Sequence, residues 1–154
     1  MQRGRRLAFD VGSARIGVAV CDPDGILATP LSYISRDDDD IANALALVAE
    51  YEAVAIYVGL PLNLEGKFTR STFEALEFAY QLEDETTVRV RMLDERFSTK
   101  IAQSKMHEAG RNVKNSRKDI DSASAVEILE RALEILKSGK EAGRTTDAVE
   151  QSHS

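Results

Sequence analysis

The chain has 154 residues and a formal net charge of −6, and 43% of its residues are hydrophobic while 30% are charged. This composition predicts one folded domain and excludes wholesale disorder, a collagen-like repeat and a disulfide scaffold. No stretch approaches the roughly 20 uninterrupted apolar residues of a membrane span, and no signal-peptide core follows the basic start. The lone Cys21 indicates a reducing compartment. We therefore expect a cytoplasmic protein without membrane contact, in which Cys21 is a small core residue.

The first third of the chain predicts three antiparallel strands. Apolar or extended runs cover residues 7–11, 16–21 and 26–34, and short turns at residues 12–15 and 22–25 join them. Turns of this length favour a meander, in which consecutive strands pair side by side.

The pattern then alternates between helices and strands. Four aspartates at 37–40 begin a helix that runs to about residue 51, because acidic groups stabilise the start of a helix. Residues 54–60 form a continuous apolar run, typical of a strand that is covered on both faces. A helix with apolar spacing over residues 73–80 and an edge strand over residues 88–93 follow.

Two further helices are predicted after the fifth strand. One covers residues 98–108, and another begins near Ser116, which with Asp119 resembles a capping box, and runs to about Lys137. Residues 138–154 are small and polar, which predicts a disordered tail after a single domain over 1–137. This order predicts an α/β fold whose mixed sheet has three antiparallel and then two parallel strands, with helices on both faces.

Three carboxylates stand where packing alone does not favour a charge. Asp10 lies in the apolar run of a strand that should be central, and an unpaired buried carboxylate is costly there. Its partner is either a metal ion or, as the structural alternative, Arg15. Asp94 and Glu95 directly follow the fifth strand, where open α/β sheets bind ligands. Because neighbouring side chains point to opposite faces, we expect one of the two to face a site, unless both form an exposed loop with Arg96.

Asp121 is the third of these acids. It heads an apolar helical stripe, and its alternative role is that of a second capping acid. The stripe consists of Ala125, Ile128, Ala132 and Ile135. Three acids from separate elements suit a hard divalent ion, Mg²⁺ or Mn²⁺, and a pair of such ions at about 4 Å can promote phosphodiester hydrolysis.

The distribution of charge is uneven along the chain. Residues 37–85 contain 12 acidic and 2 basic side chains, net −10, whereas residues 89–118 contain 9 basic and 3 acidic side chains, net +6. The basic segment can hold a phosphate backbone, although two solvated surfaces of opposite charge without further role explain the counts equally well.

Five short motifs in this order resemble the YqgF family, also called RuvX, which consists of RNase H-like proteins described as Holliday junction resolvases or pre-16S rRNA nucleases. They cover residues 9–19, 58–63, 69–71, 94–99 and 121–126, with Phe97 where the family pattern has Leu. The resemblance implies an RNase H-like fold with three catalytic, metal-binding acids and three arginines that contact nucleic acid. The acids are Asp10, Glu95 and Asp121, so that Glu95 is favoured over Asp94, and the arginines are Arg15, Arg70 and Arg96.

The sequence therefore predicts a metal-dependent nuclease that acts on structured nucleic acid, in first place the 5′ end of pre-16S rRNA in ribosome biogenesis. The alternative substrate is a four-way DNA junction in recombination or repair, which would require a homodimer rather than a monomer. Two other classes remain. One is a nucleic-acid-binding protein without catalysis. The other is an ATP-binding protein related to actin and sugar kinases, which the motif Asp10-Val11-Gly12-Ser13 suggests but the length of one domain opposes.

Overall fold

A computed structural model describes residues 1–95 and 120–153 of the chain. Its strands form one five-stranded sheet in the order β3-β2-β1-β4-β5. The strands are β1 (Arg6–Val11), β2 (Arg15–Cys21), β3 (Ala28–Ser35), β4 (Ala55–Leu60) and β5 (Arg89–Asp94). The helices are α1 (Asp40–Glu50), α2 (Arg70–Glu85), α3 (Ala123–Lys137) and α4 (Thr146–Ser152).

The pairing of the strands confirms the predicted mixed sheet. β1 pairs antiparallel with β2, and β2 antiparallel with β3, while β4 pairs parallel with both β1 and β5. As expected, all six residues of β4 are buried and β5 lies at an edge of the sheet. The meander and the two parallel strands thus place β1, and Asp10 within it, at the centre.

The two faces of this sheet carry side chains of different size. One face buries large apolar residues beneath α1 and α2, including Leu7, Phe9, Ile56, Val58 and Leu60. The other face, beneath α3, buries more small residues, Ala8, Ala19, Cys21 and Ala55, together with Tyr57 and Leu93. Cys21 is only 1% exposed, which confirms it as a core residue. Helices on both faces therefore cover the sheet.

The structure corrects the predicted disordered tail over 138–154. Met92 and Arg144 exchange two backbone hydrogen bonds of 2.8 Å, so the segment adds to the edge of β5. α4 then begins with Thr145, whose hydroxyl accepts a hydrogen bond from the Ala148 N–H, and buries Val149 completely. Hydrogen bonds from the Thr146 hydroxyl to Glu83 and from the Tyr80 hydroxyl to Glu150, each 2.6 Å, also hold this short helix on α2.

The last long helix ends at Lys137 as predicted, and α3 begins at Ala123 after Ser122 as its N-cap. The predicted capping box at Ser116 and Asp119, and the predicted helix over 98–108, lie outside the described residues. No helix in the described part of the chain combines the length and the apolar character needed to cross a bilayer.

Candidate active site

The carboxyl ends of the parallel strands form the edge of the sheet at which two of the predicted acids meet. Asp10 is the next-to-last residue of β1, and Glu95 directly follows β5. The Glu95 N–H donates to the Leu60 carbonyl oxygen at 3.1 Å, which extends the β4–β5 pairing by one bond beyond Asp94. Both acids therefore sit at the place where open α/β sheets bind ligands.

Asp10 and Glu95 form a buried carboxyl pair joined by a side-chain hydrogen bond. Burial, and then the charge and the hydrogen bond of Asp10, raise the pKa of Glu95 to about 9. Burial also raises the pKa of Asp10, although the hydrogen bonds that it accepts from Glu95 and Ser124 act in the opposite direction. At neutral pH Glu95 therefore keeps its proton and donates a hydrogen bond to the Asp10 carboxylate, since two negative charges so close together are unfavourable in a buried site.

The alternation of side chains along β5 decides which of the two neighbouring acids faces Asp10. Leu93 belongs to the small-residue core beneath α3, whereas Met92 belongs to the large core on the opposite face. Glu95 shares the α3 face with Leu93, two residues before it, and reaches Asp10. Asp94 shares the opposite face with Met92. This is the arrangement that the resemblance favoured and that the residues alone left open.

Two glycines create the space in which this site forms. A Cβ atom on Gly59 would collide with the Glu95 carboxylate and would stand 2.7 Å from Cδ1 of Ile128 on α3. A Cβ atom on Gly17, which pairs with Asp10 across β1 and β2, would stand 2.7 Å from the backbone oxygen of Asp121. The absence of side chains at both positions lets Glu95 and the start of α3 approach the sheet closely.

The third acid, Asp121, is bound to Arg15. Nη1 of Arg15 donates to Oδ1 of Asp121 at 3.0 Å, and the guanidinium carbon lies 4.6 Å from the centre of the Tyr33 ring. The alternative partner for Asp10, an ion pair with Arg15, is thus not the one found among the described residues. Arg15 is instead held between an aromatic face and the carboxylate of Asp121.

The structure brings Asp10 and Glu95 together and holds Asp121 on Arg15 beside them. Within residues 1–95 and 120–153, no three acidic, histidine or cysteine side chains converge closely enough to hold a metal ion as they stand. The carboxyl pair nevertheless fits a hard divalent cation, because oxygen ligands of this kind are the preferred ones and a cation would replace the shared proton. Asp121 follows as a third oxygen ligand if Arg15 gives up its carboxylate.

Two serines at the start of α3 also reach the sheet, and the pattern of charged residues in the sequence does not indicate them. The Ser122 hydroxyl is fully buried, accepts from the Val18 N–H at 3.0 Å and donates to the Leu31 carbonyl oxygen at 2.7 Å. The Ser124 hydroxyl donates to the Asp10 carboxylate. The signal available in the sequence is their position within the motif at 121–126, next to Asp121.

Arg131 is a further residue that the sequence analysis did not single out. Its Nη1 donates to the backbone oxygen of Asp94 at 2.6 Å, and its charge opposes the rise in the pKa of Glu95 that burial causes. Arg131 follows Ser124 by seven residues, about two helical turns, so the two lie on the same side of α3. This spacing is the sequence pattern that points to Arg131.

The three predicted nucleic-acid-binding arginines have different surroundings. The Arg15 side chain is 41% exposed beside Asp121, so it is accessible from the site. The Arg70 side chain is 93% exposed at the first position of α2, and its Nε lies 3.6 Å from the Glu74 carboxylate. Arg96, like most of the basic segment at 89–118, lies outside the described residues.

Comparison with known proteins agrees with this geometry. Residues 4–135 match the model of the RuvX family, described as Holliday junction resolvase. A Clavibacter sepedonicus protein named as a candidate pre-16S rRNA nuclease is 45% identical over 137 residues, 87% of this chain and 85% of its own length. A Streptomyces coelicolor protein of the same name is 44% identical over 153 residues, 97% of this chain and 92% of its own length.

Two solved structures share the fold at low sequence identity. T. thermophilus RuvC, solved in complex with a Holliday junction substrate, superposes with a TM-score of 0.60 at 16% identity, covering 88% of this chain and 96% of RuvC. The Fowlpox virus resolvase, solved with Holliday junction DNA, superposes with a TM-score of 0.55 at 10% identity, covering 86% of this chain and 98% of the resolvase. These likenesses identify the sheet and its helices as RNase H-like.

Proposed function

The chain belongs to the RuvX family, and on that premise we propose that it is a metal-dependent nuclease that hydrolyses phosphodiester bonds in structured nucleic acid. The observation that carries the proposal is the buried pair of Asp10 and Glu95 at the carboxyl ends of parallel strands. A protein interior gains little from two adjacent carboxyl groups, whereas a site for Mg²⁺ or Mn²⁺ needs them.

Each of the three acids has a distinct part in this proposal. Asp10, oriented by the Ser124 hydroxyl, and Glu95, oriented by the end of β5, hold the cation after Glu95 has lost its proton. Asp121, which is paired with Arg15, would supply a third carboxylate for that cation. When bound, Mg²⁺ or Mn²⁺ stabilises the attacking and leaving oxygens of a phosphodiester during hydrolysis.

Arg15 supplies the contact that couples substrate to this site. Its guanidinium makes a charge-assisted hydrogen bond to Asp121, and a phosphate group can accept the same bond in place of the carboxylate. The Tyr33 ring supports the guanidinium in either case. Arg70, exposed at the start of α2, and Arg96 are proposed as further phosphate contacts.

The names of the relatives favour an RNA substrate. Proteins that are 44% and 45% identical over more than four fifths of this chain are named as candidate pre-16S rRNA nucleases, so we propose the 5′ end of that precursor, in the cytoplasm, as the substrate. The description of the family supports the alternative, a four-way DNA junction. Symmetric cutting of a junction would further require a homodimer.

A cleavage assay tests the proposal. The protein is incubated with Mg²⁺ or Mn²⁺ and either a precursor rRNA fragment or a four-way DNA junction, beside Asp10→Asn and a sample with chelator. Asp38→Asn, which changes an exposed aspartate, is the matched control. We expect cleavage by the unchanged protein and by Asp38→Asn, and none by Asp10→Asn or with chelator. Equal cleavage by Asp10→Asn would refute the proposed site, and the preferred substrate decides between the two activities.

A further inference from the structure

The peptide group that joins Asp94 to Glu95 is held at both of its polar atoms. Its carbonyl oxygen, on Asp94, accepts a hydrogen bond of 2.6 Å from Nη1 of Arg131, and its N–H, on Glu95, donates to the Leu60 oxygen at 3.1 Å. Two bonds at opposite ends of one planar unit fix the orientation of that unit. The position of the Glu95 Cα atom, from which the side chain starts, is thereby restrained as well.

Arg131 reaches this peptide from α3, a helix that lies far from β5 in the sequence. Among the described strands β5 lies at an edge of the sheet, and Asp94 is its last residue. The bond from Arg131 spans 37 positions in the chain and ties the middle of α3 to this end of β5. It adds a contact from the helix to the bond that the same peptide makes with Leu60 in the sheet.

One face of α3 presents three residues to the carboxyl pair. Ser124, Ile128 and Arg131 are spaced by four and three positions, so their side chains form one stripe along the helix. Ser124 donates to Asp10, and Ile128 borders the space at Gly59 into which Glu95 extends. Arg131 completes the stripe at the backbone that carries Glu95.

We propose that Arg131 is a positioning residue, which holds the Asp94–Glu95 peptide so that Glu95 meets Asp10 in the geometry a divalent cation requires. This inference rests on the proposed function, because it concerns the same metal site. Arg131 itself is not a ligand and does not touch the substrate. It acts as outer-shell partners act on metal ligands, where a loss typically costs about 10- to 100-fold in affinity or activity.

Calorimetric titration with Mn²⁺ tests this role without any need for turnover. Arg131→Met keeps much of the packing volume of the side chain and removes the donor, whereas Arg131→Lys keeps a donor that can reach a single carbonyl oxygen. Lys137→Met, an exposed residue of the same helix, controls for the lost charge. We expect Mn²⁺ to bind about 10- to 100-fold more weakly to Arg131→Met, with partial recovery in Arg131→Lys and no change in Lys137→Met.

Cleavage kinetics and thermal unfolding separate positioning from a merely structural role. We expect kcat to fall in Arg131→Met while KM for the nucleic acid stays the same, because phosphate contacts are untouched. Unchanged Mn²⁺ affinity and kcat, with or without a lower unfolding temperature, would overturn the proposal. If Arg131→Met does not fold, Arg131→Leu, which also lacks a donor, takes its place with the same two outcomes.

The metal site and the role of Arg131 can be refuted separately. If the unchanged protein binds no Mn²⁺, the proposed function falls and the role of Arg131 falls with it. If the unchanged protein and Arg131→Met bind Mn²⁺ equally well, the metal site stands and only the role of Arg131 is refuted.

Discussion

The two faces of the sheet serve different purposes although the same strands supply both. Beneath α1 and α2, β1 contributes Leu7 and Phe9 to a core of large side chains, in which Phe9 packs edge-on against Phe78 with ring centres 5.5 Å apart. Beneath α3, the same strand contributes Ala8 and then Asp10. Neighbouring residues of β1 thus point alternately into the large apolar core and towards the polar site.

The difference in side-chain size explains why the acids lie on the α3 face. Large residues fill the space between the sheet and α2, so a carboxylate there would displace apolar contacts. Alanines, with Gly17 and Gly59, let the backbone of α3 come close enough for Ser124 and Arg131 to reach the strand ends. Small residues on one face therefore create the site, and large residues on the other provide most of the apolar burial.

The largest expected contrast is between substitutions at two adjacent positions of β1. Asp10→Asn should lower cleavage by at least about 100-fold, since it removes a ligand rather than an outer-shell partner. Its free energy of unfolding in chelator should stay the same or rise, because a buried carboxylate is replaced by a neutral amide. Phe9→Ala should cost about 3–5 kcal/mol of stability and leave cleavage per folded molecule unchanged.

Urea denaturation and cleavage rates normalised to the folded fraction measure both effects. The comparison of faces breaks down if Phe9→Ala, once folded, loses its cleavage activity, or if Asp10→Asn unfolds as readily as Phe9→Ala.

A smaller effect is expected from adding one methyl group at the border of the site. Gly59→Ala places a Cβ atom against the Glu95 carboxylate and 2.7 Å from Cδ1 of Ile128, and overpacking of this kind costs about 1–3 kcal/mol. Cleavage should fall as well, because Glu95 must move. Adding Ile128→Val removes the Cδ1 atom and should restore part of the stability without restoring cleavage. Recovery of both together would mean that Gly59 serves helix packing alone.

A separate expected effect is a dependence of stability on pH. The pKa of Glu95 is raised from 4.5 to about 9 in the folded protein, so between these values the folded state keeps a proton that the unfolded state has lost. The free energy of unfolding in chelator should therefore fall as the pH rises from about 5 to about 9. Glu95→Gln should show a shallower slope in urea titrations at several pH values. An identical slope would place the buried proton elsewhere.

The elements and several of their roles follow from local patterns in the sequence. The apolar runs and turns predict the five strands, and the continuous apolar run at 54–60 predicts burial on both faces because no polar position interrupts it. Asp10 stands out because a charge inside such a run needs a partner. Asp121 stands out at the head of an apolar helical stripe, and the family motifs favour Glu95 over Asp94.

The contacts between distant residues could not be predicted in this way. Arg15 is 106 positions from Asp121, and nothing in either neighbourhood distinguishes that partner from Asp10. Arg131 is an ordinary helical arginine until the register of α3 against β5 is known. The docking of α4 depends on the burial of Val149 against the rest of the fold, which composition alone does not reveal.

The most direct test of the metal site is the number of protons released when Mn²⁺ binds. Calorimetric titration at pH 7, repeated in two buffers with different ionisation enthalpies, measures this number for the unchanged protein and for Glu95→Gln. Because Glu95 is protonated at that pH, with its pKa raised to about 9, we expect Mn²⁺ to bind and to displace a proton, and Glu95→Gln to bind weakly without release. Binding with no proton release, or equal binding by Glu95→Gln, would contradict the assignment of the Asp10–Glu95 pair as the metal site.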